Sequence, residues 1–315
     1  MSFLGIDKGG TRHTFALTTD KGEIVHRVQH ETGRACGSCQ MEDAQAEIEA
    51  LHAVASELVQ VAADRRAPVQ SIGISFGGPV NAETGTTILS HHVSGWEGVP
   101  LRDLFEDWFG IRTRVDNDAN VGCLGEWRFG AGRGCRDLLY VNIGTGIGGG
   151  IIANGQLVRG ANNLAGEIGH TIIDSDSGVR PDGPPCTCGR RGCLESFASG
   201  PGIERRYHER FDQRLTCREI FINAMENDRD AAAIVEEAAH YLARGIGTAV
   251  SLLNPELVIV GGGVSEAGDS LFAPLYRLLQ HYGFPQAGPV RVIPAQLGYD
   301  AGIIGAVALA MGTRQ

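Results

Sequence analysis

Three cysteines and a histidine carry the densest chemistry in this chain. The segment Cys186-Thr-Cys188-Gly-Arg-Arg-Gly-Cys193 spaces its thiols as C-x-C-x4-C, and Gly189 and Gly192 permit the tight turns that this spacing demands. His170 precedes it in Glu167-Ile-Gly-His170. Thiolate and imidazole are the ligands zinc prefers, and a Cys3His set fills a tetrahedron with no position left for water. The expectation is a closed, structural Zn2+ site of His170, Cys186, Cys188 and Cys193, which would also fix the segment bearing Glu167.

Two glycine turns supply a second kind of chemistry. Asp7-Lys8-Gly9-Gly10-Thr11-Arg12 ends one apolar run, and Gly144-Thr145-Gly146-Ile-Gly148-Gly149-Gly150 ends another, Leu138-Leu-Tyr-Val-Asn142-Ile. Such turns between strands direct backbone N–H groups into one concavity, and without Cβ an anion approaches closely. Two of them, with Gly261-Gly262-Gly263 after Leu257-Val-Ile-Val260, suit a nucleotide triphosphate in a cleft between domains. Asp7 can hold Mg2+ against the β- and γ-phosphates, with the Thr11 hydroxyl and the Arg12 cation near the same anion. Gly144 to Gly149 also matches the dinucleotide pattern G-x-G-x-x-G. That pattern must open a helix, whereas Ile151-Ile152 and Asn154-Gly155 read as a strand and a hairpin turn.

Arg114-Val-Asp116-Asn117-Asp118-Ala-Asn120 lies where a strand gives way to a helix. A helix start accepts Asp or Asn as its cap, but three in a row exceed one cap. Beside a γ-phosphate the missing part is a base for an acceptor hydroxyl, and Asp118 is the candidate. Asn117, both donor and acceptor, suits sugar hydroxyls.

The frame that must position these groups repeats. Each half reads strand, glycine turn, strand, turn, strand, helix, strand, double glycine, which predicts an α/β class with mixed sheets. Helices are expected over about 42–65, 119–129, 230–253 and 301–311. The last is Ala/Gly-rich and apolar on most sides, so it packs back on the body. The expected division is an N-terminal lobe of residues 1–118 joined by the C-terminal helix from about 301 to 315, and a C-terminal lobe of 119–300 with the zinc site.

With 315 residues, 43% hydrophobic, the chain suits two domains at roughly 150 residues each. Acidic residues (37) exceed basic ones (27), and the net charge of -10 argues against a nucleic-acid surface. No apolar stretch reaches the roughly 18 residues a bilayer span needs. Met1-Ser-Phe-Leu begins a strand without a cationic segment, so a cytoplasmic location is expected. Eight cysteines are few for a disulfide scaffold of this length, and Cys36-Gly-Ser-Cys39 reads as a flexible loop rather than a redox pair.

Asp7-Lys-Gly-Gly-Thr11, Asn117-Asp118, Glu167-Ile-Gly-His170 and Cys186 to Glu195 occur together and in order, and over Phe3 to about Met311 the chain resembles sugar kinases of the ROK (repressor, open reading frame, kinase) family. The resemblance implies an actin-like ATPase (ribonuclease H-like) fold of two lobes, a structural zinc, and transfer of the ATP γ-phosphate to a hexose or N-acetylhexosamine, with Mg2+ and in a homodimer. Glucose or N-acetylglucosamine at the 6-hydroxyl is the expected acceptor. By motif, Asp118 would be the base, and Gly78, Asn117, Glu167, His170 and Glu195 would contact the sugar. His170 would turn one ring nitrogen to zinc and the other to the substrate side. Two departures bear on the substrate. The segment 171–185 is longer than is common in the family, and Ser90-His91-His92-Val-Ser-Gly95-Trp96 lacks the asparagine that many relatives carry before Gly-Trp. Fructokinase and N-acetylmannosamine kinase therefore stand as alternatives. A sugar-sensing regulator of the family would need a helix-turn-helix ahead of the first glycine turn, where six residues precede Asp7, so catalysis is the expectation.

Overall fold

The computed structural model describes residues 1–10, 12–32, 44–90, 93–173, 183–282 and 290–312; Thr11, Cys36, Cys39, His91, His92 and residues 174–182 lie outside them. The chain divides into two compact units, Met1–Arg133 with Arg159–Ala165 and Asp300–Gln315, and Gly134–Val158 with Gly166–Tyr299.

The first unit is built on a five-stranded sheet of β1 (Ser2–Lys8), β2 (Arg12–Thr18), β3 (Ile24–Glu31), β4 (Val69–Phe76) and β7 (Thr113–Asn117), in the order β3-β2-β1-β4-β7; the short β5 (Val80–Asn81) and β6 (Thr86–Thr87) pair apart from it. β1 runs antiparallel to β2 and parallel to β4, whose register sets Ile6 beside Ile74 and Lys8 beside Phe76. The period of two puts Leu4, Ile6, Phe15, Leu17, Ile72, Ile74 and Phe76 in one buried cluster. Helix α1 (Ala44–Asp64) returns Leu51, Ala55, Leu58 and Ala62 to that cluster at helical spacing. The other face carries Gly5 and Gly73, where helix α9 (Ala301–Met311) approaches so closely that a Cβ on Gly73 would collide with the Ala306 carbonyl. A Cβ on Gly305 of α9 would likewise collide with the Val121 carbonyl of α3 (Asp118–Phe129). Backbone-to-backbone packing of this kind binds α3 to α9. The division between units therefore falls after α3, not before it at residue 118.

The second unit repeats the plan. Its sheet runs β10-β9-β8-β11-β12, from β8 (Leu138–Ile143), β9 (Ile147–Ala153), β10 (Gln156–Val158), β11 (Leu257–Gly261) and β12 (Arg291–Pro294). Again the first strand is antiparallel to the second and parallel to the fourth. Between β10 and β11 come α4 (Leu194–Ala198), α5 (Gly200–Phe211), α6 (Cys217–Met225) and α7 (Arg229–Leu253), and α8 (Asp269–Leu279) follows β11. Asp228 caps the start of α7, accepting from the amides of Asp230 and Ala231, and Asn254 ends it in the left-handed region. Ile234, Ala238, Leu242 and Ile246 of α7 pack with Leu139, Val141, Val258 and Val260 of the sheet. Helices α4, α5, α6 and α8 have no counterpart among the expected ones; the capping box of Thr216 and Glu219 is the signal that marks α6.

Candidate active site

The end of β7 gives its three polar residues three different fates. Asp116, 2% exposed, is fully engaged: Oδ2 receives Nε and Nη2 of Arg159, each at 2.8 Å, and Oδ1 accepts from the Asn117 amide (2.9 Å) and Asn120 Nδ2 (3.0 Å). Asn117 is the cap of α3, its Oδ1 accepting from the amides of Ala119 and Asn120. Its Nδ2 donates to the Gly78 carbonyl at 3.1 Å and to Asp118 Oδ1 at 3.0 Å. Gly78 cannot carry a side chain, since a Cβ would stand 2.5 Å from the Leu89 carbonyl oxygen. Asp118 is exposed, and its Oδ1 also receives the Ala119 amide at 2.9 Å. Gly78, Asn117 and Asp118 thus form one hydrogen-bonded group.

Asp7 sits near the end of β1 on the α9 side, so close to Gly302 that a Cβ there would lie 2.6 Å from its Oδ2. Burial raises its pKa, while the Ser75 hydroxyl and the Arg12 guanidinium pull it down. Lys8, the next residue, faces the other way. Its Nζ meets Glu47 Oε2 at 2.9 Å with the two side chains 3% and 1% exposed. Trp96 Nε1 donates to the same oxygen at 2.7 Å, and Nζ lies 4.8 Å from the Trp96 ring centroid and 5.3 Å from that of Phe76. The ladder continues the row from Lys8 to His13 and from His13 to His30. Burial lowers His13 to about 4, with Glu47 opposing and Lys8 and His30 reinforcing the shift. No sequence pattern pointed to this network, because a lysine in an apolar strand reads as an exception until its partner is seen.

In the second unit the turn between β8 and β9 is closed by a bond from the Gly144 amide to the Gly146 carbonyl (2.9 Å), and a strand follows at Ile147. The helix required by the dinucleotide fingerprint is absent from that position, as expected. Among the described residues the amides of Thr145 and Gly146 have no partner. The start of α5 joins the turn, with the Gly200 amide donating to the Gly144 carbonyl at 2.9 Å. Gly261 pairs with Asn142, and Gly262, at φ +86°, backs onto the carbonyl of Ile143 where a Cβ would collide. Gly144–Gly146 and Gly261–Gly263 therefore meet at one end of the sheet. Glu195 of α4 touches the same turn: Oε2 accepts from the Ile147 amide at 3.0 Å, and Oε1 from the Thr187 hydroxyl at 2.9 Å.

His170, Cys186, Cys188 and Cys193 converge, with their ligand atoms all within 4.8 Å of one another. Cys188 and Cys193 place their sulfurs 3.7 Å apart, and His170 Nδ1 lies 3.4 Å from Cys186 Sγ. A tetrahedron with bonds of about 2.3 Å sets sulfurs about 3.8 Å apart, whereas a disulfide would need about 2.05 Å. The donor set and spacing fit a shared tetrahedral cation. Burial raises the Cys188 thiol, but hydrogen bonds from Arg190 and the neighbouring thiols outweigh it and bring it down to about 6. Burial, reinforced by the Cys186 and Cys188 thiols, pushes Cys193 up to about 12. His170 Nε2, on the far side of the ring, lies 3.9 Å from Glu167 Oε2.

The ROK family model matches residues 3–313. The chain belongs to the ROK family. Over 325 aligned residues this ROK chain is 36% identical to a glucokinase of Halalkalibacterium halodurans, covering 96% of the one and 93% of the other. It is 32% identical to a putative xylose repressor of Caldicellulosiruptor sp., covering 97% of this chain and 77% of that protein. A ROK family glucokinase from Streptomyces griseus, solved in complex with glucose and AMPPNP, is 29% identical and superposes with a TM-score of 0.80, covering 98% and 99% of the two chains. The α/β units with mixed sheets are those of the actin-like ATPase fold.

Proposed function

We propose that the protein is an ATP- and Mg2+-dependent sugar kinase that phosphorylates the 6-hydroxyl of glucose or N-acetylglucosamine, with Asp118 as general base. One observation carries the assignment of the base. Asp116 is committed to Arg159 and Asn117 to the helix cap, while Asp118 is exposed and held through Oδ1. Asp118 takes the proton of the acceptor hydroxyl as its oxygen bonds to the γ-phosphorus; the bond to the β,γ-bridging oxygen breaks, and ADP leaves. Because this transition state is loose, positioning and charge stabilisation account for most of the protein's work.

Gly9, Gly10, Thr11 and Arg12 of the first turn, and Gly144, Thr145, Gly146, Gly261, Gly262 and Gly263 of the second unit, would hold the nucleotide. The open Thr145 and Gly146 amides are the donors that support this role. Asp7 would hold Mg2+, whose charge offsets that of the phosphates; its burial next to few compensating groups favours a cation there. Gly78, Asn117, Glu167, His170 and Glu195 would bind the sugar. Asn117 contributes chiefly by fixing Asp118, since its four hydrogen-bonding positions are already filled. Zinc, held by His170, Cys186, Cys188 and Cys193, supplies a closed structural cross-link. Glu167 Oε2 stands 3.9 Å from His170 Nε2, beyond hydrogen-bond distance, on the side of the ring away from the cluster. The same reading is of a cytoplasmic homodimer; no helix among the described residues is long and apolar enough to cross a membrane.

ADP release coupled to a panel of glucose, N-acetylglucosamine, N-acetylmannosamine and fructose tests the activity and names the acceptor. Asp118→Asn should lower turnover about 10²- to 10⁴-fold while calorimetric sugar binding persists. Undiminished turnover would remove Asp118 from the role. Elemental analysis should find about one zinc per chain, and chelation should lower the melting temperature.

A further inference from the structure

We infer that Thr187 is a positioning residue, which ties the conformation of the cysteine loop to the nucleotide turn of the second unit through Glu195. The inference rests on the proposed roles of that turn and of the metal. Thr187 lies between two of the four converging ligands, Cys186 and Cys188, and its hydroxyl donates to Glu195 Oε1 at 2.9 Å. The other oxygen of the same carboxylate accepts from the Ile147 amide at 3.0 Å. That oxygen lies over the turn itself, since a Cβ on Gly146 would stand 2.6 Å from it. One side chain therefore spans from the metal loop to the residues that close the turn.

The chain from loop to turn is short and polar throughout. The loop folds on itself through the Cys186 amide to the Arg190 carbonyl (2.8 Å) and the Gly189 amide to the Cys186 carbonyl (3.0 Å). Its far end passes straight into α4, where Ser196 Oγ donates to the Pro185 carbonyl at 3.1 Å. With four ligands on one cation, the position of residue 187 is set by its neighbours at 186 and 188. Glu195 is then held from both ends, and the Ile147 amide is engaged by a carboxylate rather than presented to an anion. The donors left for a phosphate are Thr145 and Gly146, and their direction depends on where Glu195 holds Ile147. Loss of the hydroxyl leaves Cys186 Sγ, at 3.7 Å, as the remaining neighbour of Oε1 from the loop.

Thr187→Val removes the donor and keeps the shape, and Thr187→Ser keeps the donor. The valine variant should retain about one zinc per chain and the melting temperature of the parent. It should also exchange amide hydrogen faster over residues 144–149, and its KM for ATP should rise about fivefold. The serine variant should restore both readings. Chelation of the parent protein should shift ADP affinity, read by calorimetry, in the same direction as the valine substitution. The inference is overturned if the valine variant exchanges and binds ADP as the parent does, or if it loses its zinc. The exchange reading needs no turnover, so a parent without hexose-dependent ADP release would sink the proposed activity and leave this test standing.

Discussion

The two glycine turns occupy equivalent places in two copies of one plan, yet they are propped in opposite ways. Behind the first, Lys8 and Glu47 form an ion pair almost wholly removed from water, roofed by Trp96 and Phe76. Behind the second stands Glu195, half-buried, with one oxygen on the turn and the other on the exposed Thr187 of the cysteine loop. The first prop is sealed and internal to a core. The second is shared with the loop that carries Cys186 and Cys188. The duplicated plan thus carries one glycine turn backed by an ion pair buried in its core and one touched by a carboxylate that also meets the cysteine loop.

The sealed prop should be the more costly to break. Lys8→Met alone leaves the Glu47 carboxylate buried without its cation and should cost about 3 to 5 kcal/mol in urea unfolding. The double variant Lys8→Met, Glu47→Gln keeps an acceptor for Trp96 and should recover most of that loss. Equal losses in the single and double variants would show that the pair's charge is not what holds the first turn.

Acid should attack the same prop next. His13, in line with Lys8, has its pKa lowered by burial from 6.5 to about 4, so the folded state holds it neutral. Above pH 6.5 both states are neutral and it confers no pH dependence. As pH falls from 6.5 towards 4 only the unfolded chain takes up the proton, and about 3 kcal/mol of stability is lost over that window. Other groups add to the pH dependence over this window, so the reading is a difference. His13→Leu should lose less stability than the parent between pH 7 and pH 4, and parallel losses would clear His13.

Much of this frame was legible in the chain, because local chemistry carried it. Glycine turns after apolar runs, the C-x-C-x4-C spacing with His170, and the strand-to-helix change at Asp116 to Asp118 all depend on neighbours in sequence. What escaped depends on distance. Lys8 meets Glu47 and Trp96 only once α1 lies on the sheet, and Asp116 is separated in role from Asp118 only once Arg159 arrives. The placement of α3 with the first unit followed from carbonyl contacts at Gly73 and Gly305, which no hydrophobic period reveals. Thr187 had a cysteine pattern around it but no signal of its own.

The two turns also differ in what a single methyl group would strike, and this gives the finest test of the comparison. A Cβ on Gly9 would stand 2.7 Å from the Arg12 carbonyl oxygen, a backbone atom that moves only with its strand. Gly9→Ala should therefore cost about 2 kcal/mol through displaced backbone. A Cβ on Gly146 would stand 2.6 Å from Glu195 Oε2, the end of a side chain that can rotate away. Gly146→Ala should cost only about 1 kcal/mol, the net worth of the bond to the Ile147 amide. In Thr187→Val, where Glu195 has already lost one anchor, the same alanine should cost less still. A double-mutant cycle read by urea unfolding measures that coupling. Strict additivity would mean that Glu195 does not link loop and turn, and the contrast between a sealed and an open prop would fail at its weaker member.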